Sequence, residues 1–155
     1  LPGYCAEDMI PKERLKEYYE YFKGQNVYEY SYEIKDAVEV LEKLSKKYEI
    51  YICTAYYADV YKMDYGRLLL DKYIWLQEHI PFISPYHYIF MNDKSLLECD
   101  IKIDDRLSNL NGYGEQKYLF SSYHNGNITE DELKEVGATL VSGWKELERI
   151  LLDVN

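Results

Sequence analysis

Short apolar runs alternate with amphipathic stretches along this chain, and that alternation narrows the folds open to it more than any other feature. From Ile34, the sequence IKDAVEVLEKLSKK places Ile34, Ala37, Val38, Leu41 and Leu44 at helical spacing. Such spacing gathers the apolar side chains on one face, which predicts an amphipathic helix of about four turns. Tyr48-Glu49-Ile50-Tyr51-Ile52-Cys53-Thr54 follows at once. It is short, aromatic and β-branched, as a buried parallel strand is. The pattern then recurs. Tyr65 to His79 reads as a helix ended by Pro81, and Tyr86 to Phe90 as a second strand. Ile101, Ile103 and their neighbours form a third strand that ends in Asp104-Asp105, and Tyr118 to Ser121 a fourth. Trp144 to Leu152 is a closing helix, with Trp144 as its core anchor. Residues 55–63, the Gly112–Gly114 stretch and 123–129 read as loops, and Ser95 to Glu98 has room for one turn. Near the N-terminus, Pro11 followed by KERLKEYYEYFK predicts a helix with proline in its first turn and Gly24 as its stop. Strands alternating with helices predict an α/β fold, a parallel sheet with helices on both faces.

In such sheets a ligand sits at the carboxyl ends of the strands, so the residues there carry the functional reading. The first strand ends in Thr54, the second leads to Asn92, Asp93 and Lys94, the third ends in Asp104 and Asp105, and the fourth in Ser121 and Ser122. A hydroxyl with the backbone N–H groups after it can hold phosphate oxygens. Lysine offers an anion a compact positive charge. Two adjacent carboxylates repel one another unless a cation is near, and hard oxygen ligands of this kind suit Mg²⁺. Taken singly, each residue has a plain structural role open to it. Their order along the chain predicts a metal-assisted phosphate site in which Thr54, Lys94 and Asp104 reach one phosphate-sized volume.

Charge and cysteine usage bound the partners. The chain has 155 residues, the length of a single domain, with 18 Lys and Arg against 28 Asp and Glu, a formal charge of −10. A surface this acidic repels polyanions, which argues against a nucleic-acid polymer as partner. Cys5, Cys53 and Cys99 form no CxxC pair, so neither a zinc knuckle nor a disulfide framework is indicated, and a reducing cytoplasm fits. No apolar run approaches transmembrane length and no signal peptide opens the chain, so no membrane partner is expected. Tyrosine occurs 19 times. Tyr28, Tyr30 and Tyr32, or Tyr56 and Tyr57, are candidates to stack on a base, with plain packing as the simpler role. His124 lies past a strand end and is expected to order its loop by hydrogen bonding rather than to act as a base.

The order strand-Thr, then Lys, then a strand ending in Asp-Asp is similar to motifs II, III and IV of the haloacid dehalogenase superfamily. The stretches YEIYICTA, DKYIWLQEHIPF, NDKSLLECDIKIDDR, YLFSSYHN and VSGW resemble those of 5′(3′)-deoxyribonucleotidases and their bacterial relatives. The resemblance runs from about Tyr30 to the C-terminus and is most specific at DKSLL…DIKIDDR. It implies a Rossmann-like parallel sheet over 31–155, with 1–30 the remnant of a small helical cap. It implies that Thr54 and the backbone at Ala55 bind the transferring phosphoryl group and that Lys94 neutralises phosphate and nucleophile charge. Asp104 is then a direct Mg²⁺ ligand, and Asp105 holds metal-bound water or orients the lysine. Arg106 matches a common residue after the pair. The substrate implied is a nucleoside monophosphate or another small phosphomonoester.

One part of the family pattern does not carry over. The family's motif I places two aspartates one residue apart at the end of its central strand, and the first forms an aspartyl-phosphate. Asp-x-Asp does not occur in this sequence, and the early carboxylates Glu7, Asp8 and Glu13 lie in a polar stretch. The expectation is a core lacking its first strand, in a chain inactive by itself, either as a piece of an active enzyme or as a non-catalytic relative that binds a nucleotide, phosphate or protein. That strand would lie between the strands ending at Thr54 and Asp104. The slot is then filled by a segment of another chain, as in a homodimer or with a strand-completing segment, or closed by direct pairing, or taken by rerouted N-terminal residues.

Overall fold

A computed structural model of the protein describes residues 9–56 and 65–152, without the side chain of Tyr65. The chain divides into two compact units, with the boundary between Asn92 and Asp93. Each is an α/β unit built on its own parallel sheet.

In the N-terminal unit a single 3-10 turn, Lys12–Arg14, leads into α1, Leu15–Phe22. Gly24 follows at φ 78°, the left-handed conformation that ends many helices and that glycine adopts without penalty. The second helix, α2, is Ala37–Leu44, shorter than the apolar spacing predicts. Asp36 stands at φ 65° immediately before it, so the helix begins only at Ala37 and Ile34 is left 61% exposed. Ala37, Val40 and Leu44 form its buried face. Strand β1, Ile52–Thr54, pairs in parallel with β2, Tyr88–Phe90, in the register Ile52↔Tyr88, Cys53↔Ile89 and Thr54↔Phe90. Between them in sequence runs α3, Tyr65–His79, with the predicted boundaries. Leu76, Ile80 and Ile83 form the core here, with Val38, Leu41, Ile52 and Tyr88 packed against them. Only the last three residues of the predicted 48–54 strand are paired. The part of the predicted 55–63 loop beyond Tyr56 lies outside the described residues.

The C-terminal unit carries β3 (Ile101–Asp104), β4 (Gln116–Phe120), α4 (Glu130–Val136), β5 (Ala138–Val141) and α5 (Trp144–Leu152). Its strands run parallel in the order β3-β4-β5. The middle strand is the most buried, with Tyr118 and Leu119 in a core shared with Leu110, Val141, Leu147 and Leu151. The sequence reading has no counterpart for α4 and β5. Their signals are local: Thr129 and Glu132 form a reciprocal capping box, and Gly137 ends the helix at φ 72°. Strand β5 is too exposed, at Thr139 and Leu140, to show the continuous apolar run of an interior strand.

Among the described residues β1 pairs only with β2, and β3 only with β4. These are the two strands predicted to flank motif I. No described helix is long and apolar enough to cross a membrane.

Leu119 is fully buried in the central strand. Leu119→Ala is expected to destabilise the C-terminal unit by roughly 2–5 kcal/mol through lost burial and a residual cavity. Urea denaturation followed by Trp fluorescence measures it, since Trp144 packs against Phe120 of the same strand.

Candidate functional site

The end of β3 is built around one carboxylate. Asp104 Oδ2 accepts from Lys94 Nζ at 2.8 Å, while Oδ1 accepts from the Arg106 backbone N–H at 2.9 Å and from Asn109 Nδ2 at 2.9 Å. The Lys94 and Asp104 side chains are only 18% and 11% exposed. A pair so sheltered is costly to break: removing one partner strands the other charge, typically at about 3–5 kcal/mol. Lys94 opens a 3-10 turn, Lys94–Leu96, whose N-cap Asp93 accepts from the Ser95 N–H at 3.2 Å.

That turn is held from above by a glycine loop. Gly112 stands at φ 77°, and a Cβ placed on it would lie 2.5 Å from the Ser95 carbonyl oxygen. Both the backbone conformation and the close approach therefore require glycine there. The loop is tied down by Lys102, a buried β3 residue whose Nζ donates to the Asn111 carbonyl at 2.8 Å. The stem of Lys102 runs beneath Gly114.

Asp105 is fixed differently. Its Oδ2 lies 3.0 Å from His124 Nε2, and its backbone carbonyl accepts from Asn125 Nδ2 at 2.8 Å. The same amide group donates to the Phe120 carbonyl at 2.8 Å, and Asn125 Oδ1 accepts from the Ser122 N–H at 2.9 Å. Thus His124, expected only to order its loop, faces one of the candidate carboxylates.

Thr54 and Ala55 lie in the N-terminal unit, where Lys72 of α3 reaches both. Lys72 Nζ donates to Thr54 Oγ1 at 2.9 Å and to the Ala55 carbonyl at 2.7 Å. It also stands 5.7 Å from the centre of the Tyr28 ring. Burial, and then the Asp71 carboxylate, push the Tyr28 phenol up to about 12, so it remains a neutral O–H donor at ordinary pH. Asn92 Oδ1 accepts from the Tyr56 N–H at 3.0 Å and braces the exit of β1. Of the other candidate tyrosines, Tyr30, Tyr32 and Tyr56 are exposed, and Tyr57 lies outside the described residues.

The structure thus brings Lys94 to Asp104, places Asp105 beside them in sequence with its own partners, and sets Thr54 and Ala55 on a different lysine in their own unit. Sequence reasoning missed Lys72, Asn109 and Asn125. Lys72 lies within DKYIWLQEHIPF, a quoted stretch, but among the other charges Arg67, Asp71 and Glu78 of the same helix nothing local sets it apart. Nothing local marks Asn109 or Asn125.

The donor set suits a hard divalent cation in kind. Asp104 and Asp105 offer carboxylate oxygens from consecutive residues, and Mg²⁺ takes one or two protein carboxylates while keeping several waters. No group of three or more His, Cys, Asp or Glu is gathered for a metal among the described residues, so these two are the protein ligands on offer.

Parallel α/β units with a lysine-bound hydroxyl at the end of one strand and, at the end of another, a lysine-bound carboxylate followed directly by a second carboxylate are those of a haloacid-dehalogenase-like protein. Comparison with known proteins narrows this. Residues 3–154 match the family described as 5′ nucleotidase, deoxy (pyrimidine), cytosolic type C protein (NT5C), and the chain belongs to that family. It is 34% identical over 117 residues to the "Putative 5′(3′)-deoxyribonucleotidase" of Staphylococcus aureus (strain Mu50 / ATCC 700699), covering 76% of this chain and 58% of that protein. It is 33% identical over 134 residues to the 5′(3′)-deoxyribonucleotidase of Bacillus subtilis (strain 168), covering 86% of this chain and 67% of the relative. The match therefore spans about three fifths to two thirds of the length of these relatives.

Gly112→Ala is expected to destabilise the chain by roughly 1–3 kcal/mol, from the left-handed backbone and the contact with Ser95. It should also displace the turn carrying Lys94. Chemical denaturation reads the first effect, and the NMR shift of the Lys94 side chain reads the second.

Proposed function

We propose that the chain serves a Mg²⁺-dependent phosphatase of the 5′(3′)-deoxyribonucleotidase type, acting on nucleoside monophosphates or another small phosphomonoester. The observation that carries this reading is the end of β3, where a sheltered lysine and two consecutive carboxylates stand together. Asp104 and Asp105 would hold the cation, which supplies charge stabilisation to phosphoryl oxygens. Lys94 holds Asp104 in its orientation, and its remaining N–H donors are available to an anion. Thr54, Ala55 and Lys72 would take the phosphoryl group: a hydroxyl and backbone N–H donors beside an ammonium are the elements of an oxyanion cradle. The acidic net charge disfavours polymeric nucleic acid, and a cytoplasmic setting fits the unpaired cysteine usage.

The attacking carboxylate is not supplied by these residues, since Asp-x-Asp is absent from the sequence. The chain by itself is therefore proposed to bind and polarise phosphate without forming the covalent intermediate. That same absence favours a second reading, a catalytically inactive relative that binds a nucleotide, a phosphate or a protein. Strands β1 and β3, each paired with one strand among the described residues, would suit strand addition, by a second copy or by a strand-completing segment.

The test measures turnover and binding separately. With Mg²⁺ present, this chain should show negligible phosphatase activity across nucleoside monophosphates, and a version extended upstream should show activity if the first reading holds. Robust turnover by this chain, lost on Asp104→Asn, would mean that another residue attacks phosphorus. Calorimetric titration with a nucleoside monophosphate should show Lys72→Met weakening affinity roughly 10–100-fold, the loss of one charged hydrogen-bonding group. Unchanged affinity would remove Lys72 and Thr54 from the phosphate site.

A further inference from the structure

The two carboxylates at the end of β3 differ in how their oxygens are used. Both oxygens of Asp104 are engaged by protein donors. On Asp105 only Oδ2 is, by His124 Nε2 at 3.0 Å, and Oδ1 meets no donor among the described residues. The donor is sheltered and the acceptor open: the His124 side chain is 8% exposed and that of Asp105 42%. A carboxylate can only accept, so Nε2 carries the proton of this contact. Behind it, Asn125 is 5% exposed and spends its side chain on three backbone groups, the carbonyls of Asp105 and Phe120 and the N–H of Ser122. These bonds tie the backbone after β3 to the exit of β4. With the backbone pinned, the remaining freedom of Asp105 is rotation of its side chain, and the imidazole removes it.

The geometry points to His124 as a positioning residue that selects which oxygen of Asp105 faces a divalent cation, with Asn125 as the staple that holds both in register. It acts through Asp105 and touches no substrate. The inference rests on the reading of Asp104 and Asp105 as cation ligands. Partners of this kind matter because a ligand left free to rotate loses part of its binding free energy to ordering, and their loss typically lowers metal affinity by about 10–100-fold.

Mn²⁺ titrated into the chain and followed by electron paramagnetic resonance tests it, with Asp104→Asn as the control for the cation site. His124→Leu removes the donor, and His124→Asn keeps a polar group that stops short of Asp105. Both should raise the Mn²⁺ dissociation constant by roughly 10–100-fold. His124→Gln, whose amide can place an N–H near the position of Nε2, should stay close to the parent. A merely structural histidine would lower the melting temperature in all three variants without separating Gln from Asn in Mn²⁺ affinity. If Mn²⁺ binding is lost in Asp104→Asn but unchanged in folded His124→Leu and His124→Asn, the positioning role is overturned and the cation site stands. If the parent binds no Mn²⁺, or binds it equally in Asp104→Asn, the cation reading falls and the positioning role with it.

Discussion

The carboxylate of Asp104 is the constraint around which the C-terminal unit is arranged. A charge that is 11% exposed has lost most of its hydration, and an isolated one would neutralise itself or destabilise the fold. Three donors replace the lost water, and each comes from a different piece of chain: the turn at Lys94, the backbone at Arg106 and the side chain of Asn109. Bringing Lys94 within 2.8 Å of Asp104 requires its turn to lie close to the strand, and that turn is packed under a loop that only glycine can form at position 112. Lys102 closes the arrangement by holding Asn111 from within the strand. A chain of local requirements thus runs from one sheltered charge to a glycine eight residues further on.

The N-terminal unit solves a related problem with the opposite sign. Lys72 brings a positive charge to the end of β1, where its donors meet a hydroxyl and a backbone carbonyl and its charge stands near an aromatic face. The Thr54 hydroxyl and the Ala55 carbonyl each accept from the ammonium, and a hydroxyl can turn to donate as well as accept. Each unit thus gathers polar groups at a strand end, an ammonium with a hydroxyl in one and a carboxylate with three donors in the other.

How much of this was legible in the sequence follows from how local each signal is. The third helix was read over Tyr65–His79, as it stands, because its end is marked by Pro81 close behind it. Strand β3 was visible from its Ile-x-Ile pattern, and Lys94, Asp104 and Thr54 from their order along the chain. What failed was decided elsewhere. One residue at positive φ, Asp36, shortens α2 although the apolar periodicity runs on past it. Half-exposed β5 carries no strong strand pattern, yet it pairs along its whole length with β4. Asn125 sits in a loop of turn-forming residues where composition predicts no special role, and its bond to the Asp105 carbonyl exists only once β3 and β4 lie side by side. Long-range hydrogen bonds made by short polar side chains leave no periodic trace.

The same logic explains why β3 can be both an edge strand and a functional one. A strand with an unpaired edge is a template for further pairing, and natural edges are often guarded by charge. Here the charged side chains of β3 point elsewhere: Lys102 is spent on the Asn111 carbonyl and Asp104 on Lys94. Neither is free to guard the edge. Among the described residues β3 is bonded within its own sheet by β4 alone, which makes its other side the place for the strand addition proposed above. A strand docking there would come to lie against the carboxylates at the end of β3. It would deepen their burial, and with lower local polarity every charge interaction at that end would strengthen. Under that proposal the edge and the site would be one physical feature, since an added strand would also enclose Asp104.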